Sequence, residues 1–286
     1  MSRLVSSATV TVVGLACKAL LSSGFCSVTV NGLSILRNAL ESSLRDRGQG
    51  ILTVANHIST LDDPVTWGIL PAHYYLHSRT TRWALGASDI MFTNPFFSTF
   101  FRLGQTLETF RGKGIHQHAV DYAIEQLDKG NWVHLYSEGK VNQPDTYPRD
   151  KNGVAHLPRF KWGVGRMIME SQVPPVIIPM WLTGFDRLMP EGRPFPYKYL
   201  PHSGAELSIT FGNPIPADSI RQALQNHTTS SLDSALDSRA RVTSIIHDAV
   251  ENLGRSMNIY TIPTTNQSTP NQVLEAGLQL EDSRIN

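Results

Sequence analysis

Residues 51–70 read "ILTVANHISTLDDPVTWGIL". Positions 51–56 are mostly apolar, rich in β-branched side chains and flanked by turn-forming residues, which is the pattern of a short buried strand. His57 follows at once, and Asp62 stands five residues further on. Asp63-Pro64 then reads as the cap and first turn of a helix through 65–70. The strand thus delivers an imidazole and a carboxylate into one turn.

Working outward, residues 31–50 predict a polar helix closed by glycine. The stretch 83–110 is rich in aromatics and poor in charge. Residues 115–130 predict an amphipathic helix with a glycine stop. Residues 131–139 predict a strand and a turn, 159–171 a helix, and 174–182 a buried strand opened by Pro174-Pro175, where proline is tolerated. Residues 206–215 predict another strand, and 217–255 contain a further helix. Strands alternating with helices define an α/β fold.

The chain has 286 residues, of which 41% are hydrophobic, enough for one sizeable core and hence one domain. A net charge of +1 excludes a large polyanion such as nucleic acid as the expected partner. Cys17 and Cys26 form no metal-type pair, and no disulfide framework is expected.

The first 40 residues contain no acidic side chain. Their composition is weakly that of an organelle-targeting segment. The charge-free run 4–17 is shorter than the roughly 20 apolar residues a bilayer crossing needs, and a second run covers 19–36. The reading favoured here is a membrane-associating segment lying in the interface, from which Lys18 snorkels; the alternative is a buried core helix. The domain division expected is therefore 1–40 for this apolar segment, 41–258 for the catalytic domain, and 259–286 for a polar, disordered tail.

An imidazole titrates near neutrality, so His57 can take a proton from a hydroxyl. Asp62 can hold the other ring nitrogen, fixing the tautomer as in a Ser-His-Asp triad. No matching serine is present. The nearest approach to a nucleophile elbow, "GASDI" (86–90), lacks its final glycine. The hydroxyl to be activated then belongs to the substrate. Taken alone, a His and an Asp five apart arise easily by chance, with His57 at a strand end and Asp62 or Asp63 an ordinary cap.

Further blocks change that balance. "NHISTLDD" (56–63) resembles the H-x-x-x-x-D motif of the glycerolipid acyltransferase family. "RLGQTLETFRG" (102–112), "LYSEGK" (135–140) and "VPPVIIPM" (173–180) resemble its second, third and fourth motifs in the same order. "DDPVTWGIL" (62–70), "EGKVN" (138–142), "RFKWGVGR" (159–166) and "PMWLTGFD" (179–186) resemble the family's mitochondrial phospholipid–lysophospholipid transacylases in particular. The resemblance runs from about His57 to about Pro216. It departs at Ser137, where the family usually carries proline and so a more rigid turn.

The resemblance implies a single acyltransferase-type domain, with a mixed β-sheet flanked by helices. It implies His57 as general base, Asp62 as its orienting partner, and Arg111, Glu138 and Gly139 at the substrate phosphate. A guanidinium fork suits phosphate oxygens. Glu138 is expected to accept from a glycerol hydroxyl or to aim Arg111. Backbone N–H groups after Pro64 are one expected source of oxyanion donors. Acyl transfer between phospholipids and lysophospholipids, cardiolipin among them, needs no cofactor, neither coenzyme A nor a metal. The implied setting is the mitochondrial membrane, inner or outer, on the intermembrane-space face, with the membrane surface as partner. It allows a homo-oligomer or association with mitochondrial membrane complexes. The rival readings are an acyl-coenzyme A-dependent acyltransferase using the same residues, a lipid hydrolase, and a non-catalytic lipid-binding protein.

Overall fold

The computed structural model describes residues 3–225 and 232–257. In chain order the elements are α1 (Arg3–Ser22), β1 (Ser27–Asn31), α2 (Leu33–Glu41), β2 (Ile51–Ala55), α3 (Asp62–Val65), β3 (Trp83–Ala87), α4 (Ser88–Met91), α5 (Pro95–Leu103), β4 (Thr106–Thr109), α6 (His118–Asp128), β5 (Trp132–Tyr136), α7 (Gly163–Glu170), β6 (Val176–Thr183), α8 (Phe185–Leu188), β7 (Glu206–Phe211), α9 (Ala217–Gln225) and α10 (Leu232–Ser256).

The seven strands form one mixed sheet in the order β1-β7-β6-β2-β5-β3-β4. Five of them, from β6 through β4, run parallel. The β7–β1 pair is parallel within itself and antiparallel to β6. Central strand β2 is buried along its whole length, as a strand covered on both faces must be. One helical layer is built from α6, α7 and α10. The other, made of α1, α5 and the turns 66–76, lies over Trp132 and His134. The carboxyl ends of the parallel strands share one edge, where open α/β sheets present their ligand sites.

Three expectations change in detail. The helix foreseen over 31–50 stops at Glu41, and residues 43–47 form a 3₁₀ turn capped by Ser42 Oγ. That break lets buried Arg45 donate to the carbonyls of Gly130 (2.8 Å) and Leu40 (2.7 Å). The helix foreseen after Asp63-Pro64 is the four-residue α3 followed by a 3₁₀ turn, with Asp63 itself non-helical (φ −106°, ψ 116°). The strand foreseen from Pro174 begins at Val176, whose N–H reaches Gly50 O at 2.9 Å.

At the N-terminus, helix α1 continues through Lys18 as 20 residues and is long and apolar enough to cross a bilayer. One side of it is docked on the domain. Gly14 lies under the Tyr75 ring, where a Cβ would come within 2.7 Å. Lys18 Nζ donates to Leu70 O (3.1 Å) and Ser6 Oγ to Leu103 O (2.7 Å). The other side leaves Leu4, Val5, Val12 and Leu15 exposed. Residues 27–40, grouped with the apolar segment in the expected division, fall in edge strand β1 of the sheet and in helix α2. The expected tail, 259–286, lies outside the described residues.

Candidate active site

Asn56 closes β2 and is fully buried. Its side chain donates to Leu182 O (2.9 Å) and accepts from Leu182 N–H (2.8 Å). The amide thus stands in for a sheet pair and ties the start of the next loop to β6.

In that loop a single carboxylate oxygen, Asp62 Oδ2, accepts three donors: His57 Nδ1 at 2.9 Å, Ile58 N–H at 2.7 Å and Ser59 N–H at 2.9 Å. Burial raises the Asp62 pKa, and the three donors act against that rise. A carboxylate facing Nδ1 keeps the ring proton there and leaves Nε2 as the acceptor. Nε2 bonds no protein group among the described residues. The ring stacks on Tyr136 at 4.3 Å between centroids, and the His57 side chain keeps 21% exposure, so solvent and substrate can reach it.

Glu138 lies beneath this loop, 3% exposed. Its Oε1 accepts the His57 backbone N–H at 2.7 Å, and its Oε2 accepts from Asn142 Nδ2. Asn142 N–H returns to His57 O at 2.7 Å. Desolvation pushes the Glu138 pKa up to about 8. The expected pairing with Arg111 is not seen, because Arg111 faces Asp89 while both Glu138 oxygens accept from the His57 backbone and Asn142. Gly139, next in the turn, is exposed with φ +80°.

Arg111 follows β4 and pairs with Asp89 at 3.3 Å, both side chains well exposed. Its strand is the third from β2 in the sheet, so at about 4.8 Å per strand it stands roughly 14 Å along the edge from His57. Arg102 pairs with Glu108. The expected oxyanion donors after Pro64 are already used, because Val65 N–H bonds Leu61 O and Thr66 N–H turns back onto Asp62 O and Pro64 O.

Asp63, expected as a cap, instead forms a largely buried forked pair with Arg82. Arg82 also donates to Gly104 O at 2.9 Å and Trp67 Nε1 donates to Asp63. The guanidinium holds the Asp63 pKa below the usual range against the desolvation that would raise it. The pair forms the polar floor of a 120 Å³ cavity walled by Val10, Val13, Met91 and Phe101. Nearby, burial drives the His134 pKa down to about 3, so that ring is neutral; its Nδ1 meets Thr53 Oγ1 at 2.8 Å. The second acid of "LDD" was visible in the sequence, but its partner was not. The roles of Asn142 and Tyr136 had no local signal.

The pattern of the Acyltransferase family matches residues 27–183. The chain is 35% identical over 73% of its length to taffazin of Dictyostelium discoideum, of which the match covers 69%. It is 39% identical over 60% of its length to tafazzin of Drosophila melanogaster (42% of that protein covered). It is 37% identical over 66% to N-acylphosphatidylethanolamine synthase of Arabidopsis thaliana (63% covered). The fold is similar to the crystal structure of the 1-acyl-sn-glycerophosphate acyltransferase PlsC from Thermotoga maritima, with a TM-score of 0.53 and 18% identity, covering 85% of this chain and 79% of that one. The chain belongs to the acyltransferase family and, within its glycerolipid branch, is a homologue of the tafazzins. It is an acyltransferase with lipid substrates.

Proposed function

We propose that this protein is a coenzyme A-independent transacylase that moves acyl chains between phospholipids and lysophospholipids and remodels cardiolipin. The observation that carries this is the His57–Asp62 pair, with Nδ1 held at 2.9 Å by a buried carboxylate and Nε2 left for a substrate hydroxyl. His57 Nε2 takes the proton of the lysophospholipid hydroxyl, and Asp62 stabilises the imidazolium that forms. The hydroxyl oxygen attacks the ester carbonyl of the donor lipid. On collapse His57 returns the proton to the departing lysophospholipid oxygen, so no external acyl carrier is consumed. Arg111 receives a phosphate at the same sheet edge, exchanging Asp89 for it.

The exposed apolar side of α1, together with Phe96, Phe97 and Phe100 of α5, supports a protein lying on a bilayer rather than spanning it. The tafazzin relatives support a mitochondrial membrane, with the intermembrane-space face as the proposed side.

The deciding experiment incubates purified protein with phospholipid vesicles and a labelled lysophospholipid, without coenzyme A, beside His57→Ala. Label entering intact phospholipid with the wild type only is the expected result. Transfer that starts only on adding acyl-coenzyme A would move the protein to the thioester-using branch. Phosphatidylethanolamine is included as an acceptor because one relative is named for N-acylation of that lipid.

A further inference from the structure

Asp62 Oδ2 holds the Nδ1 edge of the His57 ring, and Glu138 Oε1 holds its backbone N–H. Neither contact touches the face of the ring. A third contact does. The Tyr136 ring is stacked on the imidazole, with centroids 4.3 Å apart and planes inclined by 21°. The chemistry above gives this ring no task.

The sheet builds the contact. Tyr136 ends β5 and lies opposite Ala55, which ends β2 two positions before His57. Ala55 carries only a methyl group, which leaves room beyond the strand for the imidazole. On the same face of the two strands, one pair earlier, His134 meets Tyr136 edge to face at 4.5 Å and 84°. His134 is itself pinned. Its Nδ1 meets Thr53 Oγ1 at 2.8 Å, that hydroxyl accepts from Trp132 Nε1 at 2.9 Å, and the Trp67 ring lies 4.8 Å from the His134 ring. Tyr136 therefore rests on a packed column of side chains. Its hydroxyl lies beside Thr66 and makes no bond to His57, so the ring alone makes the contact.

An aromatic face carries negative charge density and attracts a cation within about 6 Å of its centroid. The imidazole is a cation only while it holds the substrate's proton, so the attraction favours that state over the resting one. The column adds no opposing charge. Burial pushes the His134 pKa down to about 3, which keeps that ring neutral, and the Arg82 guanidinium is paired with Asp63. We infer that Tyr136 is a positioning residue for the base: its face sets the plane of the His57 ring and stabilises the imidazolium formed when Nε2 takes the proton. The inference rests on the acyl-exchange reading above, in which His57 is that base.

The test compares Tyr136→Phe, which keeps the ring, with Tyr136→Leu, which keeps apolar bulk without one. The first readout needs no turnover. Full-length protein with labelled histidine is followed by heteronuclear NMR in detergent micelles, the His57 signal being assigned by its absence in His57→Ala. An upfield ring-current shift is expected in the wild type and Tyr136→Phe and should vanish in Tyr136→Leu. On titration the His57 signal of Tyr136→Leu should reach its midpoint about half to one pH unit lower than the other two, the scale of one such contact. In the vesicle assay, kcat of Tyr136→Leu should fall about three- to tenfold with KM little changed. The acid limb of its kcat/KM profile should move to lower pH by the same amount, and Tyr136→Phe should restore both. An unmoved midpoint, a midpoint moved upward, or equal losses in the Phe and Leu variants would each overturn the inference. Should Tyr136→Leu fail to fold, pentafluorophenylalanine at 136 keeps the ring shape without the negative face and should shift the midpoint as leucine would; a midpoint like that of Tyr136→Phe would overturn the inference. Transfer that persists in His57→Ala would sink the base reading, while the ring-current shift and the titration midpoints, measured without substrate, stand or fall separately.

Discussion

The backbone N–H of His57 donates to Glu138 Oε1 at 2.7 Å, across 81 positions of sequence. The carboxylate thus holds the main chain that carries the His57 ring. Glu138→Ala leaves that buried N–H without a partner, a loss of roughly 1–3 kcal/mol. The expected result is a lower melting temperature together with a fall in kcat. Glu138→Gln keeps an acceptor for His57 and should retain most of the activity.

The same group makes stability depend on pH. Burial holds the Glu138 pKa at about 8, against 4.5 for an ordinary glutamate. The folded protein therefore keeps a proton that the unfolded chain has released. The group's contribution is full below pH 4.5, declines as pH rises, and is lost above about 8. Denaturant titrations from pH 5 to 9 should show a flatter profile for Glu138→Gln than for the wild type. Parallel profiles would contradict the buried, proton-retaining carboxyl.

Asp62→Asn should preserve the loop, because one amide oxygen still accepts from Ile58 and Ser59. That oxygen also keeps the His57 Nδ1 contact, but a neutral amide carries no charge to stabilise the imidazolium, and kcat should drop by up to about 10⁴-fold, the scale found for the equivalent change in serine proteases. Circular dichroism should remain that of the wild type. Activity within tenfold of the wild type would remove Asp62 from the mechanism.

Arg82 and Asp63 form a largely buried pair beside the dyad. Arg82→Ala strands the carboxylate, at a cost of about 3–5 kcal/mol, so chemical denaturation should show a strongly destabilised protein. By contrast the Arg111–Asp89 pair is exposed, and Arg111→Ala should change stability by less than about 1 kcal/mol. Its effect should fall on the KM for phosphate-bearing lipids.

Phe96 and Val12 stand 75% and 67% exposed on the apolar face. Replacing both with serine removes no core contact and should leave the melting temperature unchanged. Flotation with phospholipid vesicles should weaken. Undiminished flotation would place the membrane contact elsewhere on the surface.

Much of the fold was legible because its signals are local. The apolar runs at 51–55 and 176–183 announce strands buried on both faces, and the helical periodicity at 118–128 announces one buried face. The His57–Asp62 pair was legible for the same reason, since both residues lie in one turn. The helix expected over 31–50 failed at Ser42, beyond which Arg45 reaches the carbonyls of Arg79 and Gly130 in distant parts of the chain. In the sequence Lys18 ends the charge-free run, but its ammonium finds the Leu70 carbonyl on folding and the helix continues past it.

By itself the sequence determined strands β2, β5, β6 and β7, the turn that sets His57 beside Asp62, and the family to which the chain belongs, while β1, β3 and β4 carried no strand signal that was read. Tertiary structure alone decided what Glu138 contacts, which arginine answers Asp63, and which side of α1 is left bare. Those outcomes depend on sheet register. Ala55 lies opposite Tyr136, which brings the residue two beyond each, His57 and Glu138, into contact at the strand ends, and no spacing along the chain encodes that meeting.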